Sequence, residues 1–215
     1  MKYDGGTADP ALVDQITDFL EDTYQQLSSQ FEEYPADPFV VVLYPEKEYV
    51  NVTEAPYWSG GVNDGKIKLP IGGINSLNDE LRSVLAHELT HSFINVKSSG
   101  RCPTWLQEGL AQRMEGKTLS EDALKSLRAM AEQNGLPSMR QLGGSFLQAN
   151  SAEAGVLYVI SLSFTESLID RYRFSSVNAL LEKVGTAESF DAAFYEAFSV
   201  PISEAEAKWR RDLQQ

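Results

Sequence analysis

The sequence predicts an α+β fold, and three observations carry that reading. The segments that read as strands fall in the first half, at residues 39–44 and within 57–70. Apolar residues at helical spacing dominate the second half. No internal repeat or flexible linker divides the 215 residues. The chain therefore reads as one domain, 1–215, with an N-lobe at about 9–98, a C-lobe at about 99–215 and a cleft between them.

The elements follow in order. Residues 9–33 read as a helix: Asp9 caps it, Pro10 suits its first turn, and Leu12, Ile16, Phe19, Leu20, Tyr24, Leu27 and Phe31 recur on its apolar side. Pro35 and Pro38 end that pattern. Residues 39–44, Phe-Val-Val-Val-Leu-Tyr, form a buried strand. A looser stretch, 45–56, closes at Pro56. Residues 57–62 and 66–70 read as two strands around Asn63-Asp64-Gly65, a favourable turn. Lys66 and Lys68 alternate with Ile67 and Leu69, so the second strand shows one face to water. From 78 to 96 the period is helical, with Leu81, Leu85, Leu89, Ser92 and Val96 on one side and Phe93 at its margin. Gly100 and Pro103 break it. Residues 104–114 form a helix capped by Thr104 and followed by Gly116, and 120–134 form another, closed by Gly135 and Pro137. A polar connection, 138–152, leads to a long apolar helix over 153–172. Short helices follow near 175–184, 188–199 and 202–213.

Composition excludes several functions. There are 18 basic and 31 acidic side chains, a net charge of −13. A general binder of nucleic acid or anionic membrane needs the opposite balance. Cys102 is the single cysteine, so no internal disulfide forms. No window reaches the ~18 apolar residues of a membrane span, and the first eight residues lack the apolar run of a leader. The chain reads as soluble and monomeric; an extracytoplasmic setting would require a leader or anchor absent from this sequence.

Both histidines of the chain lie in one pentapeptide, His87-Glu88-Leu89-Thr90-His91. On a helix, residues i and i+4 share a face, so the two imidazoles can reach one metal ion. Glu88, one residue along, points beside that ion toward the water it activates. The ligands sit opposite the apolar stripe, which leaves them off the core side. By chance the motif arises in roughly one chain of this length in two hundred. A catalytic zinc site takes three protein ligands. With no third histidine, the candidates are Glu108 on the next helix, Glu115 two turns further, and Cys102, which also reads as a structural thiol. Gly109 and Ala111 are small enough to let that helix pack close to the first.

The pentapeptide, followed by Trp105-Leu106-Gln107-Glu108-Gly109-Leu110-Ala111, resembles the gluzincin metallopeptidases, and most closely the small bacterial peptidase MA-like domains with their W-L-x-E-G-x-A segment. The resemblance runs from about residue 10 to Leu213. It implies a zincin-like fold: a small N-terminal mixed sheet with the active-site helix, then a mainly helical C-terminal lobe. It implies one zinc ion, held by His87, His91 and Glu108, with Glu88 as general base. Tyr158, in an apolar helix that would bury a tyrosine for packing alone, resembles the tyrosine by which the aminopeptidase branch steadies its oxyanion. The segment Trp58-Ser59-Gly60-Gly61-Val62-Asn63-Asp64-Gly65 sits where these families place the strand that pairs with substrate; Gly60 and Gly61 would admit an extended peptide.

Departures from the family narrow the expected activity. Val62 stands where aminopeptidases carry the glutamate that holds a substrate's amino terminus, which argues against exopeptidase action. No histidine remains for the oxyanion, leaving Tyr158. Many relatives place a glycine after the Arg-Tyr pair where this chain has Arg173. The expected function is therefore zinc-dependent endopeptidase action on a peptide or protein. The alternative is a zinc-stabilised peptide-binding domain with little turnover.

Overall fold

A computed structural model of the protein describes residues 9–53, 61–146 and 149–215. Among these residues the order is α1 (Pro10–Phe31), β1 (Val41–Tyr44), α2 (Glu46–Thr53), β2 (Val62–Asn63), β3 (Ile67–Pro70), α3 (Asp79–Lys97), α4 (Thr104–Met114), α5 (Glu121–Glu132), a 3₁₀ turn (Gln141–Gly143), α6 (Ser151–Tyr172), α7 (Phe174–Thr186), α8 (Phe190–Phe198) and α9 (Ile202–Leu213). This is the mainly helical α+β fold the sequence predicts. Two units make it up, Met1–Phe93 and Ile94–Gln215, and α3 runs through their boundary.

In the first unit the sheet order is β1-β3-β2. Strand β3 is central, parallel to β1 from Val41↔Ile67 to Tyr44↔Pro70 and antiparallel to β2 through Val62↔Lys68 and Asn63↔Ile67. Ile67 and Leu69 are buried, whereas Lys68 pairs with Asp64 at 2.6 Å. The carboxylate draws up the Lys68 pKa, and the ammonium draws down that of Asp64. Asp9 caps α1 by accepting the Ala11 N–H at 2.8 Å. Asn78 caps α3 by accepting from Leu81 at 2.8 Å.

The buried row of α3 differs from the predicted stripe at its end. Leu81, Leu85, Leu89 and Phe93 form a buried i, i+4 ridge, while Val96 is 47% exposed. Phe93 is central because Tyr24, Phe31 and Phe39 surround its ring at centroid distances of 5.4, 6.2 and 5.7 Å. Helix α2 also lies inside the stretch read as loose. Its Glu46 and Glu48 suit a helix N-terminus, but Tyr49 is its one buried residue, so no apolar stripe betrays it.

In the second unit α4 packs against α6. A Cβ on Gly109 would lie 2.1 Å from Thr165 Oγ1 and 2.6 Å from the Ser161 carbonyl oxygen. The close neighbour that Gly109 admits is thus α6. Gln112 reinforces the contact by donating to the Tyr158 carbonyl at 2.9 Å, and Arg113 pairs with Glu166. Trp105, Phe164 and Trp209 meet in this core as tilted ring pairs with centroids 5.1 and 5.4 Å apart, and the Trp209 indole N–H is satisfied by Ser163 Oγ at 3.0 Å. The first helical residue of α4 is Thr104 itself, after Pro103, and no side chain caps it. Helix α6 begins two residues before its predicted start, because Asn150 and Glu153 form a capping box. It is the one helix among the described residues long and apolar enough to cross a membrane, and half of that apolar window is buried within the fold.

Arg173 joins α6 to α7 at φ 72°, ψ 158°, a region that glycine alone occupies without strain. Arg173→Gly should therefore stabilise the protein by about 1 kcal/mol, raising Tm by about 2–4 °C for a chain of this size. Thermal unfolding followed by circular dichroism checks this. An unchanged or lower Tm would show that the arginine side chain offsets the strain.

Candidate metal centre

Helix α3 fixes three of the expected residues. Its Leu85-Leu89-Phe93 ridge is locked into the core, which turns His87 and His91 to the opposite side. Both imidazoles are half-buried. Their Nε2 atoms face each other at 3.1 Å, with the rings nearly perpendicular at 76°. Two nitrogens each about 2.0–2.1 Å from a tetrahedral zinc stand about 3.3 Å apart. The histidine pair thus has the bite of a zinc site, and its all-nitrogen donor set suits that metal.

Glu88 lies between the histidines in sequence and is only 6% exposed. A Cβ on Gly61 would fall 2.9 Å from both Glu88 Cγ and Oε1. Gly61 therefore leaves the space that the carboxylate takes up, a role the sequence does not reveal. Gly60, its expected partner in substrate binding, lies outside the described residues, as do residues 57–60 of the expected first hairpin strand.

Asn63 is a residue whose part in the site sequence reasoning missed. Its Oδ1 accepts the Gly65 N–H at 3.1 Å, closing the turn as expected of an Asn there. Its Nδ2 reaches α3, donating to the Glu88 carbonyl at 2.7 Å and to Ser92 Oγ at 2.6 Å. Nothing but the turn signature marks it in the sequence, because the bond spans 25 residues.

The remaining expected residues belong to the second unit. Glu108 is half-buried on α4, and its Oε2 is shielded from solvent. Glu115, at the end of that helix, pairs with Lys117 at 3.0 Å. Cys102 is buried with its Sγ 3.7 Å from the Pro103 carbonyl, and burial pushes the thiol well above its ordinary pKa range. A thiol so placed is a poor thiolate ligand and fits the structural role. Tyr158 is half-buried on α6, its ring edge-on to Phe146 at 5.8 Å.

Comparison with known families agrees with the motif pair. The profile of the Peptidase MA superfamily matches residues 22–215. No curated protein and no solved structure matches the chain.

Proposed function

Because the chain belongs to the Peptidase MA superfamily, we propose that it is a gluzincin-type endopeptidase in which His87, His91 and Glu108 hold one zinc ion and Glu88 is the general base. The observation that carries this reading is the histidine pair at zinc bite distance with a buried carboxylate set between them on the same helix. His87 and His91 on α3 supply the nitrogen donors of this reading, and Glu108 on α4 is the carboxylate that the W-L-x-E-G-x-A segment names. The pairing of Glu115 with Lys117 and the burial of Cys102 support Glu108, the carboxylate that the family motif names, as the third ligand.

Zinc, when bound, polarises the scissile carbonyl and lowers the pKa of a water at the site. Glu88 takes a proton from the attacking water and delivers it to the leaving amine nitrogen. Its burial beside Gly61 keeps competing solvent from that carboxylate. The Tyr158 hydroxyl donates to the oxyanion as it develops. Among the described strands β2 lies at the end of the sheet order, so an extended peptide can add beside it, next to Gly61.

The test is metal content read beside hydrolysis. Protein dialysed against zinc should carry one ion per chain and cleave casein or a quenched-fluorescent peptide library. A chelator should abolish cleavage, and added zinc should restore it. One bound zinc with no cleavage of any substrate would replace this reading with a zinc-stabilised peptide-binding domain. Failure to bind zinc would remove both.

A further inference from the structure

We infer that Asn63 is a positioning residue for Glu88, acting through the α3 backbone and through Gly61, the residue just before β2; the inference rests on the proposed role of Glu88 as base. Three hydrogen bonds fix the Asn63 amide. The Gly65 N–H occupies its oxygen, so its nitrogen must face α3. There it donates to the Glu88 carbonyl and to Ser92 Oγ, two acceptors one helical turn apart. The amide thus ties the β2–β3 turn to the helix at the very residue that bears the carboxylate.

A second contact completes the device. Gly61 and Asn63 flank Val62 and both meet α3 at Glu88. Asn63 grips the Glu88 main chain. Gly61 lies against the Glu88 side chain, where even a methyl group would come within 2.9 Å of Cγ and Oε1. The amide bonds set how closely the strand approaches the helix. That approach in turn decides how tightly the Gly61 backbone confines the carboxylate. Losing the Asn63 bonds lets the strand retreat and gives Glu88 room for other rotamers. A base displaced by about 1 Å loses on the order of a hundredfold in rate. The histidines take no part in these three bonds, so the metal should be held as before.

The experiment measures kcat and zinc affinity for Asn63→Ala, alone and in a Glu88→Gln background. The expected result is a kcat lowered about 10- to 100-fold with zinc affinity within about threefold of wild type. In the Glu88→Gln background the same change should leave the residual rate within about twofold, because the two residues act as one unit. An equal fall in both backgrounds would mean a general structural role and would overturn the inference. Asn63→Asp separates turn from clamp: it keeps the acceptor for Gly65 and loses both donors. It should fall as Asn63→Ala does, and wild-type turnover in Asn63→Asp would also overturn the inference. A crystal structure of Asn63→Asp provides a readout that needs no substrate. A Glu88 carboxylate displaced from its wild-type place supports the clamp even if the protein hydrolyses nothing, whereas an unmoved carboxylate refutes it whatever the peptidase assay shows.

Discussion

Glu88→Gln is expected to bind zinc as wild type does and to hydrolyse peptides about a thousandfold more slowly. The substitution is nearly isosteric, so the space beside Gly61 is filled as before, and the carbonyl that accepts from Asn63 is untouched. The amide cannot take up a proton. Water attack then proceeds without a base, and the leaving amine receives no proton from this residue. Calorimetric titration with zinc and initial rates on one quenched peptide check the two halves separately. Turnover equal to wild type would end the assignment of Glu88 as base. Loss of zinc together with turnover would mean that Glu88 supports the metal. Glu108→Ala should do the reverse of Glu88→Gln, weakening zinc binding first and losing hydrolysis as a consequence.

The helix that carries the two histidines, and the face they occupy, are legible because two periodicities agree. The H-E-x-x-H spacing demands a helix, and Leu81, Leu85 and Leu89 independently supply one whose buried side lies opposite the histidines. The end of that stripe was less legible. A helical wheel places Val96 better than Phe93, yet the aromatic cluster of Tyr24, Phe31 and Phe39 decides the matter, and that cluster is assembled from distant residues. Helix α2 left no trace because a helix that buries one side chain needs no stripe. The Asn63 clamp was invisible for a related reason. A bond from a turn amide to a helix carbonyl 25 residues away obeys no local period, and an Asn-Asp-Gly turn already explains the residue's presence. Arg173 was visible as a departure from family glycines, but its cost follows only from its backbone angles.

Gly109 is the position where the fold should tolerate change least. The sequence marks it as small without saying what it must admit. Its neighbours are a side-chain oxygen of Thr165 and a main-chain oxygen of Ser161, both on α6. Rotating Thr165 removes only the Oγ1 clash; the Thr165 Cβ at 2.8 Å and the Ser161 carbonyl oxygen at 2.6 Å move only with α6. Gly109→Ala gains about 1 kcal/mol of helix propensity. Against that stands overpacking of about 1–3 kcal/mol, at the upper end here because the obstruction is backbone. The expected net loss is about 1–2 kcal/mol, a fall in Tm of about 2–8 °C. Gly109→Leu should lose more than about 3 kcal/mol, as α4 must lift from α6 and open the Trp105–Phe164 contact. Gly109→Ala with Thr165→Ala should recover part of the loss but not all of it. Urea unfolding of the three variants measures the series; full recovery by Thr165→Ala would assign the whole cost to the hydroxyl. Glu108 precedes this glycine on α4, so its zinc affinity should follow the same order as stability if it is the third ligand. A Gly109→Ala variant with unchanged zinc affinity but a lowered Tm would separate the packing of α4 from its proposed role in holding the metal.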